Sequence, residues 1–180
     1  MDRAELLEIV KDAYSAYYTL FPVEGGEESG LPLAFRAEYN VRDEQYFFVK
    51  SANIWKNEKH EYCFVFSAPL FDPALAQRCI DFSLREMLPK VKPHKEHQYT
   101  NCKVILIADS FDAETLRTVK KAKFSKSYGP LSTHGYTELL TAAVDLGERR
   151  AHANRVGYDL EKFFGKLFAL RSEDTQGNGK

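Results

Sequence analysis

The sequence has few of the features that announce chemistry. It carries three cysteines, Cys63, Cys79 and Cys102, an odd number with no metal-ligand spacing, which excludes a disulfide framework and a cysteine zinc site. Each falls in or beside an apolar segment, so buried free thiols in a reducing cytoplasm are the expectation. The net charge is −1, which removes any global pull toward nucleic acid or anionic lipid and leaves only local patches. No apolar run approaches the length of a membrane span, and the first residues read as an amphipathic helix rather than a signal peptide. There is no internal repeat and no cofactor motif, so no cofactor, metal or membrane partner is expected, and nucleic acid is not the expected partner.

What is present is a full set of folding signals. At 180 residues, with 44% hydrophobic and 28% charged side chains, the chain has enough apolar surface for one α+β domain over residues 1–171. The end from Ser172 reads as a disordered tail over 172–180. Aromatics are the excess: thirteen Phe and ten Tyr, many of them in residues 14–66. Helix one is expected from about Arg3 to Leu20, capped by Asp2 and stopped by Pro22. Its Tyr14, Tyr17 and Tyr18 exceed what one helix flank needs, which makes a homodimer through helix one an expectation.

Three strands follow, at about 33–41, 46–55 and 60–67. The first alternates: Leu33, Phe35, Ala37, Tyr39 and Val41 on one face, Arg36, Glu38 and Asn40 on a face read as solvated. The short connections 42–44 and 56–59 make this an antiparallel meander. Asp72-Pro73 starts a second helix that Pro89 ends. After a polar crossover over 90–98, Val104–Ala108 reads as a central strand buried on both faces. A third helix at about 113–122, a strand near 124–128, a hairpin of 136–146 with 149–155 and a helix at about 158–170 complete the order.

In element order, residues 3–128 resemble the restriction-endonuclease-like core. That resemblance implies an acidic residue at one strand end and Glu/Asp-x-Lys on the next, together holding Mg²⁺. Here Lys50 has Phe48 two residues before it and the third strand reads Glu61-Tyr62-Cys63, so the pattern is missing and an active nuclease is not expected. Glu38 and Glu61 are the acids that would have to approach each other.

Other chemistry-bearing residues are scattered. His94 and His97 in HKEH have metal-compatible spacing but no third ligand, and read as a solvated crossover. The segment SYGPLSTHGY (127–136) combines hydroxyls, an imidazole and two glycines, so His134, Ser132 and Tyr136 are candidate ligand-binding residues. Asp109 follows the buried strand, at the strand end where α/β sites gather. Basic residues cluster at Lys120, Lys121, Lys123 and Lys126, and again at Arg149, Arg150, His152 and Arg155, which makes Arg150 and Arg155 candidate phosphate contacts. No catalytic set of nucleophile, base and electrophile is recognisable. The expectation is therefore a binding or interaction module with a ligand or protein partner, the alternative being a degenerate enzyme acting on a phosphate-containing substrate or nucleic acid.

Overall fold

Asp2 accepts a hydrogen bond from the Glu5 amide and starts α1 (Arg3–Ser15) where the capping signal predicts it. The structure, a computed structural model, describes residues 1–23, 30–44 and 56–177. The helix ends short of the expected Leu20, because Thr19–Pro22 forms strand β1 instead. Pairing of this segment along the edge of β2 (Leu33–Glu44) outweighs its helical continuation, and Thr19 and Phe21 suit a strand.

β2 pairs directly with β3 (Lys56–Ser67), from Leu33 opposite Phe66 to Glu44 opposite Lys56. The antiparallel meander is therefore β1-β2-β3, and the strand expected over 46–55 lies outside the described residues. The helix α2 (Pro73–Met87), capped by Asp72 through the Leu75 amide, carries the chain to β4 (His97–Ala108), which pairs parallel to β3. Helix α3 (Ala113–Lys121) is capped by Asp112 and leads through β5 (Ser125–Ser127) to β6 (Tyr136–Asp145). β6 is parallel to β4, and a tight turn returns the chain as β7 (Arg150–Ala153) before α4 (Tyr158–Gly177). The helical backbone of α4 enters the segment expected to be a tail; Ser172–Gln176 contains no proline to stop it.

The sheet order is β1-β2-β3-β4-β6, with β5 and β7 both on the far edge of β6. Two layers cover it. Val104, Leu106, Phe64 and Phe66 face α2 and α3, while Ile105, Ile107, Cys63 and Val65 face α1 and α4. β4 is thus buried on both faces, as its apolar run predicts. All three cysteines are buried and free, and burial pushes the Cys63 and Cys79 thiols up to about 12.

One side chain completes the sheet edge. β5 pairs Tyr136–Glu138 of β6 and β7 pairs Ala142–Asp145, which leaves a notch between them. Asn154 fills it. Its Oδ1 accepts from the Thr141 amide at 3.2 Å, and its Nδ2 donates to Leu139 O at 2.8 Å and Ala122 O at 3.0 Å. Buried backbone groups left without partners cost about 1–3 kcal/mol each. Replacing Asn154 with Ala should therefore lower stability by roughly 3 kcal/mol or more, read from the midpoint of urea unfolding. Asn154→Asp, which would set a buried carboxylate oxygen against the Leu139 and Ala122 carbonyls, should recover none of that loss.

Candidate functional site

Along β4 the face toward α1 and α4 changes character. Ile105 and Ile107 lie under the helices, but Tyr99, Asn101 and Lys103 extend beyond the apolar layer. Between them, the end of α1 and the start of α4 is a cleft of about 490 Å³, walled by Tyr17, Tyr18, Tyr99 and Phe163, with Glu61, Asn101 and Lys103 on its sheet side. Tyr17 and Tyr18 are placed there because their amides both bond to Tyr14 O, which turns the chain from α1 into β1.

The sheet side of the cleft carries a three-group network. Lys103 Nζ lies 2.6 Å from Glu61 Oε2 and donates to the Tyr18 hydroxyl at 2.9 Å, while that hydroxyl donates to the same Glu61 oxygen. The Lys103 and Glu61 side chains are only 16% and 13% exposed. Burial, followed by the bond to Glu61 and its charge, pushes the Tyr18 phenol well above its ordinary range, so it stays an O–H donor. Its ring packs on Tyr14 at 4.7 Å and Tyr39 at 5.5 Å between centroids. Asn101 Oδ1 is buried with no hydrogen-bond partner. Such a group is costly to keep unless something at times satisfies it.

The residues singled out from the sequence do not come together in one site. Tyr136 lies beside Tyr99 of the cleft wall, the two ring centroids 6.1 Å apart. Asp109 and Arg150 lie at the opposite end of the sheet, beyond Ala108 and opposite Asp145. The twelve residues of β4 span about 36 Å at the usual strand rise, so His134 and Asp109 cannot meet. Asp109 instead pairs with Arg3 at 2.9 Å. Asp145 is spent on the Phe111 and Glu148 amides. Arg155 lies on the far edge of β6. Ser132 is exposed at the tip of a turn in which Leu131 and Ser132 both take positive φ.

The 127–136 loop is fastened to the protein by its own glycines. At Gly135, with φ +77°, an added Cβ would lie 2.5 Å from His97 O, and at Gly129, with φ +72°, 2.5 Å from the His134 ring. Their close approaches are therefore to the chain itself. His97 corrects the expectation of a solvated crossover: it is 3% exposed, with one ring nitrogen 2.9 Å from His134 O and the other 2.8 Å from Thr100 Oγ1. Its ring stacks on His60 at 6.1 Å, and His94 meets Glu58 at 2.9 Å. Four of the five histidines thus gather at one sheet end, yet among the described residues no three His, Cys, Asp or Glu side chains form a group able to hold a metal.

Glu38 and Glu61 do not approach each other. They pair with adjacent residues, Tyr62 and Tyr39, and so point to opposite faces; Glu38 meets Lys90 on the α2 side. Asn40 on that face, read as solvated, is bonded to His60 at 2.7 Å. The surplus of tyrosines on helix one also has an internal explanation: Tyr14 packs edge-on against Phe35 and Phe163, Tyr18 belongs to the network, and Tyr17 alone is widely exposed.

A mixed sheet between two helical layers, with a tyrosine-walled cleft where one layer falls short, defines an α+β protein with a ligand-sized recess on one sheet face. A family model described as a domain of unknown function, DUF8052, matches residues 2–166, and the chain belongs to that family. No curated protein and no solved structure matches the chain. No helix among the described residues is long and apolar enough to cross a membrane.

Two outcomes check this geometry. Gly135→Ala should destabilise the fold by roughly 2–4 kcal/mol, since both φ and the contact with His97 O oppose a side chain, whereas His134→Ala should change stability by less than about 0.5 kcal/mol. Calorimetric melting of both variants distinguishes them. The second concerns pH. Burial, then His97 and His94, hold the His60 imidazole below its ordinary 6.5, against the opposing pull of Glu58. Below about pH 6.5 the unfolded chain takes up this proton first, so stability should fall with acidification and level off once pH passes the lowered folded value. His60→Asn should flatten that decline in urea titrations run at about pH 7 and 5.5.

Proposed function

We propose that this chain is a cytoplasmic, non-catalytic binding module whose ligand occupies the cleft between α1, α4 and the polar half of β4. The observation that carries the reading is the Tyr18–Glu61–Lys103 network within a recess walled by tyrosines. A largely buried ion pair is a poor way to gain stability, since apolar side chains of the same volume usually do as well or better. Its position beside a ligand-sized recess gives it a use in recognition. Aromatic walls supply flat apolar contact, and Asn101 and the network supply the few polar groups that orient a small molecule.

Two features favour binding over covalent catalysis. Cys63, buried beneath the cleft, has its thiol pushed up to about 12 by burial and stays an inert thiol. Tyr18 is likewise held protonated. Three buried free thiols also suit a reducing compartment, which supports the cytoplasmic location.

The test separates stability from recognition. Lys103→Met alone should cost roughly 3 kcal/mol, because it leaves Glu61 buried and unpaired, and adding Glu61→Leu should restore most of it. In a fragment screen followed by amide NMR, hits should shift Tyr99, Asn101 and Lys103 in the wild type and lose affinity in the stable double variant. Hits that avoid these amides, or bind the double variant equally well, would overturn the proposal.

A further inference from the structure

The notch on the far edge of β6 opens into a second cleft of about 500 Å³, and its lining is strongly basic. Lys120, Lys121, Lys123 and Arg155 face it, against the single carboxylate of Glu138. This concentration stands out in a chain of net charge −1. From these residues we infer that the notch is a binding site for the phosphate groups of a phosphorylated small molecule of the nucleotide class.

Ordinary structural reasons account for only part of the cluster. Lys120 and Lys121 close the last turn of α3, where cations complement the helix dipole. Lys123 lies past the helix end, and Arg155 arrives from the turn between β7 and α4, so neither serves that dipole. The helix also tolerates a local cost: Arg117 stands three and four residues before Lys120 and Lys121, a spacing at which like charges repel. Among the described residues, none of Lys120, Lys121, Lys123 and Arg155 takes part in an ion pair. Their charge is therefore available to an anion.

The cleft is also held in shape. Asn154 lies in its lining and donates to Ala122 O on one wall and Leu139 O on another, tying the end of α3 to β6 beside Arg155. That bracing keeps the lysines and the arginine at a set separation without an anion to organise them, which lowers the ordering cost of binding. Apolar surface completes the recognition: Phe124 is half-buried and Val156 is 42% exposed within the lining. Phosphates would meet the lysines and the guanidinium, which is suited to bidentate contact, while a base or other flat group rests on Phe124 and Val156. The site is separate from the tyrosine cleft and does not depend on the function proposed there.

Calorimetric titration of the full chain with tripolyphosphate, ADP and adenosine tests this. ADP should bind saturably and more tightly than adenosine, tripolyphosphate should compete with it, and affinity should fall steeply between about 50 and 300 mM salt. Arg155→Ala and Lys123→Ala should each weaken ADP by about fivefold or more, and Arg155→Lys by less than Arg155→Ala. Lys11→Ala, on α1 beside Glu8, should leave it unchanged. Lys123 and Arg155 are exposed and Lys11 is half-buried, and circular dichroism of each variant confirms the fold. Absence of saturable binding by both anions would overturn the inference, as would affinities indifferent to Arg155→Ala and Lys123→Ala. A single-stranded oligothymidylate that binds far more tightly than ADP, with affinity rising with its length, would assign the notch to nucleic acid and overturn the small-molecule reading.

Discussion

Strand β4 holds hydrogen-bonded neighbours on both edges, β3 and β6, and both pairings are parallel. Most of the architecture follows from that constraint. Parallel neighbours require crossovers, so α2 must lie between β3 and β4, and α3 between β4 and β6, and both pack on one face. The other face is left to α1 and α4, which arrive from the two ends of the chain. The apolar run of β4 is the shared floor of both cores.

The polar recess arises from a mismatch of length on the same strand. α1 and α4 bury the C-terminal half of β4 but leave Tyr99, Asn101 and Lys103 beyond their cover. An uncovered sheet face cannot stay apolar in water, and here it is furnished with an ion pair and tyrosines, whose rings are apolar and whose hydroxyls are not. The sheet face therefore passes from core to cleft within two residues, between Lys103 and Ile105. The opposite face shows no such change, because Phe64, Cys102 and Leu139 remain covered by the α2–α3 layer.

The two clefts differ in electrostatics, and the difference is instructive. In the tyrosine cleft the one ammonium group is already neutralised by Glu61, so recognition there rests on shape, aromatic contact and a few directed hydrogen bonds. In the edge notch four cations face one carboxylate, so the attraction is to charge and is sensitive to salt. Both recesses sit where regular structure is interrupted, one where a helical layer stops short and the other where two short strands divide an edge. Asn154 repairs the second interruption by presenting an amide side chain as if it were a peptide group.

Local signals were legible in the sequence wherever a residue acts on its own element. The helix starts at Asp2 and Asp72, the break after α2, the doubly buried β4, the β6–β7 hairpin and the buried thiols could all be read directly. The missed features depend on partners distant in sequence. β1 is a strand because β2 offers an edge. His97 is buried because the 127–136 loop folds back onto it, and Glu61 meets Lys103 across 42 residues of sequence. The asparagine in AHANRVG likewise carries no sign that it will bond to Ala122, 32 residues earlier. Periodicity reports which side chains share a face of one strand or helix, and the sequence by itself determined that much. Which foreign side chain then faces them was decided by strand register and by the reach of each helical layer, and those exist only once the tertiary structure has formed.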